Sequence, residues 1–483
     1  MAAPAEIRET HISVVTMIGD RAFKLLKPVA TDFLDHRHRE DRRAACQRET
    51  EVNRRFAPDV YSGVLDVIGG DGVPVDHLIA MRRMPAGRAL SNMLDEPGAE
   101  QLVREVARLV AGFHRDAPVS DAIARAGRPE AVRALWDEGL DALGRDAPGV
   151  VPYEQIARVR GLAHEYISGR RALFERRVAE GWIRDGHGDL LTDDVYLLDD
   201  GPRVLDALAF DDRLRHGDVL LDIAFLAMDL EARGHPGLAE AVLAEWSAAL
   251  EESHPVSLRD HYVAYRAHVR AKVAAIRSRQ GDPDAAARAR ALHSLALERL
   301  ERGRVRLILV GGRPGTGKST LAEGLARQTG AALLRSDVVR KQMAGIPASA
   351  GAASPFEEGL YRPEMTARVY EELLERAGPL LSQGQTVVLD ASWTHAPWRE
   401  GARRLAADRK AALVEVRCEV PAAVARARLE ARAAAGRDPS DATPAIADLM
   451  GAGADPWPEA APLSTLAPPA EVLSAAWDVI RAG

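Results

Sequence analysis

The stretch that most constrains this chain is residues 305 to 320, VRLILVGGRPGTGKST. A short apolar run, Val305 to Val310, leads into Gly311-Gly312-Arg313-Pro314-Gly315-Thr316-Gly317-Lys318-Ser319-Thr320, and the pattern G-x-x-x-x-G-K-[ST] is met from Gly312 to Ser319. The flanks predict a strand before the motif and a helix, Leu321 to Thr329, after it. That is the setting in which the motif cradles phosphates. Its glycines let the backbone turn tightly and aim successive N–H groups inward. The following helix adds its N-terminal partial charge. Lys318 would reach the β- and γ-phosphates, and Ser319 would offer its hydroxyl to Mg²⁺. The stretch therefore implies binding of a nucleoside triphosphate, with ATP and Mg²⁺ as the expected pair. No N-K-x-D segment for reading guanine is present.

With 483 residues, the chain is expected to form two or three domains. A formal net charge of −7 offers no general basic field, so nucleic acid is not an expected partner. The two cysteines, Cys46 and Cys418, form no C-x-x-C pair, which argues against thiolate metal sites and fits a reducing cytoplasm. No uncharged apolar run reaches 18 residues and the N-terminus has no signal-peptide pattern, so neither a membrane span nor secretion is expected.

Along residues 1 to 303, His11 to Ile18 and Arg21 to Leu26 flank Gly19-Asp20 as a hairpin. Asp35 to Phe56 reads as a charged helix, and Val60 to Ile68 with Val75 to Met81 as a second strand pair. Ala99 to Ala179 is helical, with breaks at Pro118, Gly127 and Pro148-Gly149. Val195 to Leu198 and Val204 to Leu208 flank an Asp-Asp-Gly-Pro turn as strands. Helices are expected at Asp218 to Glu231, Pro236 to Glu251, Leu258 to Gln280 and Asp284 to Arg302.

Gly186-His187-Gly188-Asp189 resembles the catalytic loop of the aminoglycoside phosphotransferase-like, protein-kinase-like fold. That family carries H-G-D-x-x-x-x-N, followed by an aspartate on the next hairpin. By the resemblance, Asp189 takes the catalytic aspartate position, Asp194 the asparagine position and Asp206 the metal-binding position. Phosphoryl transfer needs one carboxylate at the acceptor hydroxyl and others on the metal. Gly217-Asp218 and Asp222 match an element that braces this loop in the family, and His187 would support it. Lys24 and Lys27, in AFKLLKPV, lie where the family keeps its phosphate-gripping lysine. Glu49 would be the ion-pair partner, and Met81 to Met84 the hinge that meets adenine. Asp193, Asp211 and Asp212 read as solvated charge. Two departures stand out: Asp194 replaces the asparagine, adding charge beside Asp206, and no glycine-rich phosphate loop precedes the hairpin.

In residues 304 to 483, Ala331 to Leu334 reads as a short buried strand. Thr386 to Leu389, Ala412 to Val416 and a short edge strand, Leu463 to Leu466, follow. Strands alternating with helices imply a doubly wound parallel sheet, with ligands at the strands' carboxyl ends. This half resembles the small P-loop kinases of the zeta-toxin, gluconate-kinase and polynucleotide-kinase group. The resemblance makes Asp337 the residue that orients or deprotonates the acceptor hydroxyl and Arg340 an acceptor-binding residue. Asp390 becomes a Mg²⁺ carboxylate, and Arg426, Arg428, Arg432 and Arg437 become lid arginines. Ser336-Asp337 also reads as a helix N-cap, and Tyr361, Arg362 and Trp398 as a possible lining of an acceptor pocket.

The whole pattern is similar to the bacterial fusions called bifunctional aminoglycoside phosphotransferase-like/ATP-binding proteins. The expectation is a two-domain chain of α+β and α/β class. A kinase-like bilobal domain over 1–303 precedes a P-loop domain over 304–483, and together they transfer a γ-phosphoryl group to a small hydroxylated acceptor. A nucleotide-sensing regulatory protein and a toxin-like sugar-nucleotide kinase are the alternatives. The sequence leaves the acceptor and the oligomeric state open.

Overall fold

The computed structural model describes the chain except residues 1–4, 10–11, 32–33, 348–361, 436–446, 449, 451–452 and 483. Two compact units emerge: Met1–Arg160 with Phe174–His254 and Arg259–Leu300, and Gly161–Leu173 with Pro255–Leu258 and Glu301–Gly483.

The first unit opens with an antiparallel sheet of β1 (Glu6–Glu9), β2 (Ser13–Ile18), β3 (Arg21–Leu26), β4 (Tyr61–Ile68) and β5 (Pro74–Arg82). Their order is β1-β2-β3-β5-β4. The hairpin at Gly19-Asp20 pairs Ile18 with Arg21 as the turn signal implies; β1 carries no such signal and was not expected. Helix α1 (Arg39–Arg54) packs on this sheet through Cys46, which shares a core with Leu26, Val60, Tyr61 and Ile79.

The remainder of the unit is largely helical. Its helices are α2 (Ala99–Asp116), α3 (Pro129–Asp146), α4 (Tyr153–Gly169), α5 (Arg171–Ala179), α6 (Val219–Ala232), α7 (Pro236–Leu250), α8 (Val256–Arg279) and α9 (Ala285–Arg302), of which residues 161–169 of α4, 171–173 of α5, 256–258 of α8 and 301–302 of α9 fall to the second unit. Helix α2 buries Val103, Val106, Ala107, Val110, Ala111 and His114, a stripe at helical spacing. Helix α6 has almost no exposed face, so it runs through the interior; its N-cap is Asp218, whose carboxylate accepts from the Leu220 N–H at 2.9 Å.

Two short antiparallel pairs lie among these helices. Strand β6 (Ile183–Asp185) pairs with β9 (His216–Asp218), and β7 (Val195–Leu198) with β8 (Gly201–Val204). Here the expected strand Val204 to Leu208 fails. Only Val204 belongs to a strand; Asp206 takes a left-handed backbone, φ 63°. The amide of Ala207 donates to the Asn53 side chain at 2.8 Å instead of to a neighbouring strand.

The second unit is built on a five-stranded parallel sheet of β10 (Arg306–Gly311), β11 (Ala332–Arg335), β12 (Val387–Asp390), β13 (Ala412–Glu419) and β14 (Ala461–Ser464). Their order is β11-β12-β10-β13-β14, and every neighbouring pair is parallel. Strands β10 and β12 are apolar along their length because helices cover both faces. The helices are α10 (Lys318–Thr329), α11 (Ser336–Met343), α12 (Pro363–Ser382), α13 (Ala396–Asp408), α14 (Ala422–Ala435) and α15 (Pro469–Ala482). Ile308, Val310, Leu325, Val416, Ala476 and Ile480 share one core.

Two expectations change here. Strand β11 is half-buried rather than buried, because it forms the sheet edge. Ser336 and Asp337 lie in the first turn of α11, whose N-cap is Arg335, with no side-chain cap. Among the described residues, no helix is long and apolar enough to cross a membrane.

Candidate active sites

At the carboxyl end of β10 the chain turns through Gly312 to Gly317 and enters α10 at Lys318. The helix thus starts inside the motif, earlier than the apolar pattern suggests. Two glycines are required by close approach as well as by φ. A Cβ on Gly312 (φ 129°) would stand 2.5 Å from the Cys418 carbonyl oxygen. One on Gly315 (φ 81°) would stand 2.5 Å from that of Ala425. Thr316 steadies the loop by donating to the Arg313 carbonyl at 2.7 Å, and Thr465 Oγ1 donates to the Thr316 carbonyl at 2.6 Å. Lys318 Nζ also rests on the Arg313 carbonyl, at 3.0 Å.

Around this loop stand several of the residues singled out from sequence. Asp390 ends β12, buried, with Arg335 Nε 3.2 Å from its Oδ2. Ser319 sits in the first turn of α10 and Thr320 beside it is exposed. Arg428 donates to the Thr465 carbonyl at 2.7 Å, which brings it against the loop at Gly317. The four arginines do not act as a set. Arg426 pairs with Asp448 at 3.0 Å on an exposed face. Arg432 lies on α14, but its side chain is outside the described residues, as are Arg437 and Tyr361 altogether.

Asp337 and Arg340 both act electrostatically on the buried Tyr370, whose hydroxyl is raised in pKa chiefly by burial. Arg340 also donates to Thr366 Oγ1 at 3.2 Å. The Tyr370 oxygen bonds Ser392 Oγ at 3.0 Å and accepts from the Trp393 N–H at 3.1 Å; its ring stacks on Trp398 at 3.9 Å. Arg362 is exposed at the start of α12. A cavity of about 530 Å³ opens beside the loop, lined by Gly312, Arg313, Thr316, Ser392, Arg417 and Trp457 among others. Asp337, Arg340 and Trp398 are not part of its wall. Burial pushes the Cys418 thiol in this wall up to about 12, so it stays protonated.

In the first unit, Lys24 Nζ lies 2.7 Å from Glu49 Oε1 and 3.5 Å from Asp206 Oδ1. Burial opposes the Lys24 charge, but Glu49 and Asp206 more than offset it, and its pKa is raised. Asp206 is held below the usual carboxylate range, first by Lys24. Lys27 pairs instead with Glu9 at 2.5 Å, which leaves Lys24 as the lysine of this site. The left-handed Asp206 is fixed by its neighbours: its N–H donates to Tyr61 Oη at 3.2 Å. Strain of this kind persists only where the surroundings over-determine it.

The loop Gly186 to Asp189 is held from behind. Asp222 accepts from the His187 N–H at 2.7 Å, the Gly188 N–H at 2.8 Å, and His114 Nε2 at 3.0 Å. Trp246 Nε1 in turn donates to His114 Nδ1 at 2.9 Å. A Cβ on Gly186 would stand 2.6 Å from Asp222 Oδ2, so only glycine fits there. His187 meets the Leu205 carbonyl through Nε2 at 2.9 Å, and burial lowers its pKa. Burial raises the pKa of Asp189 and, more strongly, that of Asp194, where Asp206 and Asp189 add to the effect.

Asp193, Asp211 and Asp212 are paired rather than simply solvated. Arg233 holds Asp193 at 2.7 Å, Arg213 holds Asp211 at 2.8 Å, and Arg48 holds Asp212 at 2.7 Å. Sequence reading also missed the Asn53 and Tyr61 supports of the Asp206 turn, the Thr465 tie on the P-loop, and Arg270, whose Nη1 stands 3.9 Å from Asp189 Oδ1. None carries a local motif.

Among the described residues no group of three or more His, Cys, Asp or Glu side chains forms a ready metal-binding cluster. A phosphate-bound Mg²⁺ takes only one or two protein carboxylates and completes its shell with phosphate and water. The donors at Asp390 with Ser319, and at Asp194 with Asp206, suit that chemistry. Gly312 and Gly315 let the loop turn hard against the Cys418 and Ala425 carbonyls, where a side chain would meet backbone.

A family model described as an AAA domain matches residues 307–456. A choline/ethanolamine kinase family protein from Mesorhizobium loti is 16% identical, covering 62% of this chain and 92% of its own, with a TM-score of 0.38. A gluconokinase from Sinorhizobium meliloti is 20% identical, covering 36% of this chain and 91% of its own, with a TM-score of 0.26. Uncharacterized protein Rv2004c of Mycobacterium tuberculosis is 40% identical over 477 residues, which is 99% of this chain and 95% of that protein, and Mb2027c of Mycobacterium bovis matches equally. The chain therefore belongs to the family of these mycobacterial proteins.

Proposed function

We propose that the chain is an ATP- and Mg²⁺-dependent phosphotransferase acting on a small hydroxylated acceptor, with the P-loop unit as its principal nucleotide site. The observation that carries this reading is the loop Gly312 to Ser319: a cradle with backbone at two glycine positions where a Cβ would sit, and with the mobile cation Lys318 at its exit.

In this reading the loop's N–H groups and Lys318 hold the β- and γ-phosphates, and Ser319 and Asp390 hold Mg²⁺. Bound Mg²⁺ would offset phosphate charge as the bond to the leaving oxygen breaks. Asp337 accepts the proton of the acceptor hydroxyl as that oxygen forms its bond to the γ-phosphorus and ADP leaves. Arg428, against Gly317, supplies a planar fork for phosphate oxygens, and Arg340 one for the acceptor. The acceptor's remaining atoms would occupy the aromatic side of the loop, near Tyr370 and Trp398.

The first unit would be a second phosphotransfer site, with Lys24 and Glu49 for the phosphates, Asp206 and Asp194 for metal, and Asp189 for the acceptor. Its fixed Lys24–Glu49–Asp206 arrangement supports that assignment.

The test is ATP titration and acceptor-dependent ADP release by the full chain, against Lys318→Ala. Losing a charge-assisted contact of roughly 1.5–3 kcal/mol should weaken ATP binding about tenfold to a hundredfold and remove most transfer. Unchanged affinity and turnover would refute the P-loop assignment. ATP binding without transfer to any acceptor would favour a nucleotide-sensing role.

A further inference from the structure

The first unit contains many arginines near its catalytic-type loop, and most are fully committed. Arg177 is bonded to Asp218 and Glu252, and Arg266 to the carbonyls of Leu221 and Gly188. Arg215 holds Asp185, Asp212 and the Leu208 carbonyl, and Arg55 holds Asp185. These side chains build the loop's frame.

Arg270 differs from them. It projects from α8, which also carries Arg266, and among the described residues its one charged neighbour by contact is Asp189, at 3.9 Å. That separation is too long for a hydrogen bond. Among the described residues no hydrogen bond is formed by its guanidinium, which carries five N–H donors. The side chain is 28% exposed and Asp189 36%, so both reach solvent. An ion pair this loose and this exposed is worth little on its own. Arg270 is therefore poorly explained as a structural tie.

Its place relative to the two sides of the site is also informative. Lys24, Glu49 and Asp206 make up the phosphate and metal side. Arg270 stands instead 3.9 Å from Asp189, the carboxylate that the proposed function gives to the acceptor hydroxyl. The cation thus stands on the acceptor side. An acceptor carrying an amine would bring like charge against it. One carrying a carboxylate or phosphate would satisfy its fork with two parallel N–H···O bonds, the geometry for which arginine is best suited.

We infer that the acceptor presented to Asp189 is an anionic hydroxyl compound, a hydroxy acid or sugar phosphate, whose charged group is held by Arg270. This rests on the reading of the first unit as a phosphotransfer site.

The experiment uses the full chain in a Lys318→Ala background, which silences the P-loop site, with ATP and either Mg²⁺ or Mn²⁺. The probes are matched acceptors: glycerol, glycerate and glycerol phosphate, then galactitol, galactonate and galactosamine. Transfer should be found with the anionic members and should disappear in Asp189→Asn. Arg270→Gln should raise KM for those members at least tenfold, with the KM for ATP unchanged and kcat little affected. Arg270→Lys should recover part of the loss. Equal use of neutral or amine-bearing acceptors, or an Arg270→Gln effect on kcat shared by all acceptors, overturns the inference while leaving the phosphotransfer reading standing. Absence of any Asp189-dependent transfer overturns that reading and, with it, the inference.

Discussion

Replacing Asp222 by asparagine tests the physical account of the first unit most directly, because the change is nearly isosteric and removes one charge. Asp222 is 4% exposed and accepts three hydrogen bonds, from the His187 and Gly188 amides and from His114. An asparagine keeps one acceptor oxygen. Its NH₂ must replace the other and would face at least one backbone N–H, donor against donor. That leaves a buried donor unpaired, at about 1–3 kcal/mol, and removes the charge assistance from the bonds that remain, a further 1 kcal/mol or so. The sum, about 2–4 kcal/mol, is a large part of the ~5–15 kcal/mol that holds a domain folded.

The pH dependence follows from the same residue. Burial alone would raise the Asp222 pKa, but the His114 hydrogen bond and the electrostatic influence of the His114 and His187 rings and of Arg266 hold it well below its ordinary 3.8. A depressed carboxylate contributes stability that is present above its unfolded pKa and lost as pH falls through its folded one. Wild type should therefore lose stability below about pH 4 in a way that Asp222→Asn does not. Denaturant unfolding of the full chain from pH 3 to pH 8, followed by circular dichroism, gives both quantities. A loss below about 1 kcal/mol at pH 7, or parallel pH profiles, would show that the loop is braced by something else.

Other substitutions probe the two sites. Gly315→Ala must adopt a left-handed backbone, at about 1–2 kcal/mol, and its Cβ would strike the Ala425 carbonyl. ATP affinity measured by calorimetry should fall at least tenfold, and an unchanged value would refute the cradle geometry. Asp337→Asn should lower acceptor phosphorylation by about 10²- to 10⁴-fold while ATP still binds; full turnover would remove the base assignment. Asp194→Asn takes one carboxylate from a crowded anionic site, so nucleotide binding in a Lys318→Ala background should need less Mg²⁺ or Mn²⁺. Because the folded pKa of Asp194 is raised, its ionisation costs stability as pH climbs above the unfolded value, and Asp194→Asn should melt higher than wild type at pH 8. A higher metal demand or a lower melting temperature would contradict the charge argument.

What could be read from sequence depended on how local each structure is. The P-loop is a run of consecutive backbone positions, so its glycines, Lys318 and Ser319 declare themselves together. The strand order β11-β12-β10-β13-β14 does not, because it depends on which distant segments pair. The failure at Val204 to Leu208 has a specific cause. The apolar alternation there is real, but Asn53 and Tyr61 take the backbone donors that a strand would use, and the chain turns at Asp206. Lys24, Glu49, Asp189 and Asp206 could be ordered along the chain only by a family pattern. Arg270 belongs to no such pattern. On α8 it is one basic residue among several, and only the fold sets it at Asp189.

The two lysines show why the phosphate sites should differ in readiness. Lys318 rests on a neutral carbonyl of its own loop, which an incoming phosphate can replace with a stronger, charged acceptor. Lys24 is already held by Glu49 at 2.7 Å, with Asp206 nearby, and is only 16% exposed. A phosphate reaching Lys24 finds its charge largely offset and meets the carboxylates Asp194 and Asp206 as well. Nor does a glycine-rich loop supply backbone donors there, since only Gly19 precedes Lys24. On the proposed function, metal would have to neutralise the first site before nucleotide could settle in it, whereas the P-loop would offer its cation and its backbone donors at once. In the full chain, ATP binding at trace metal should accordingly be weakened about tenfold to a hundredfold by Lys318→Ala and untouched by Lys24→Ala. Equal losses from the two substitutions, read by calorimetry with chelator present, would refute this ordering.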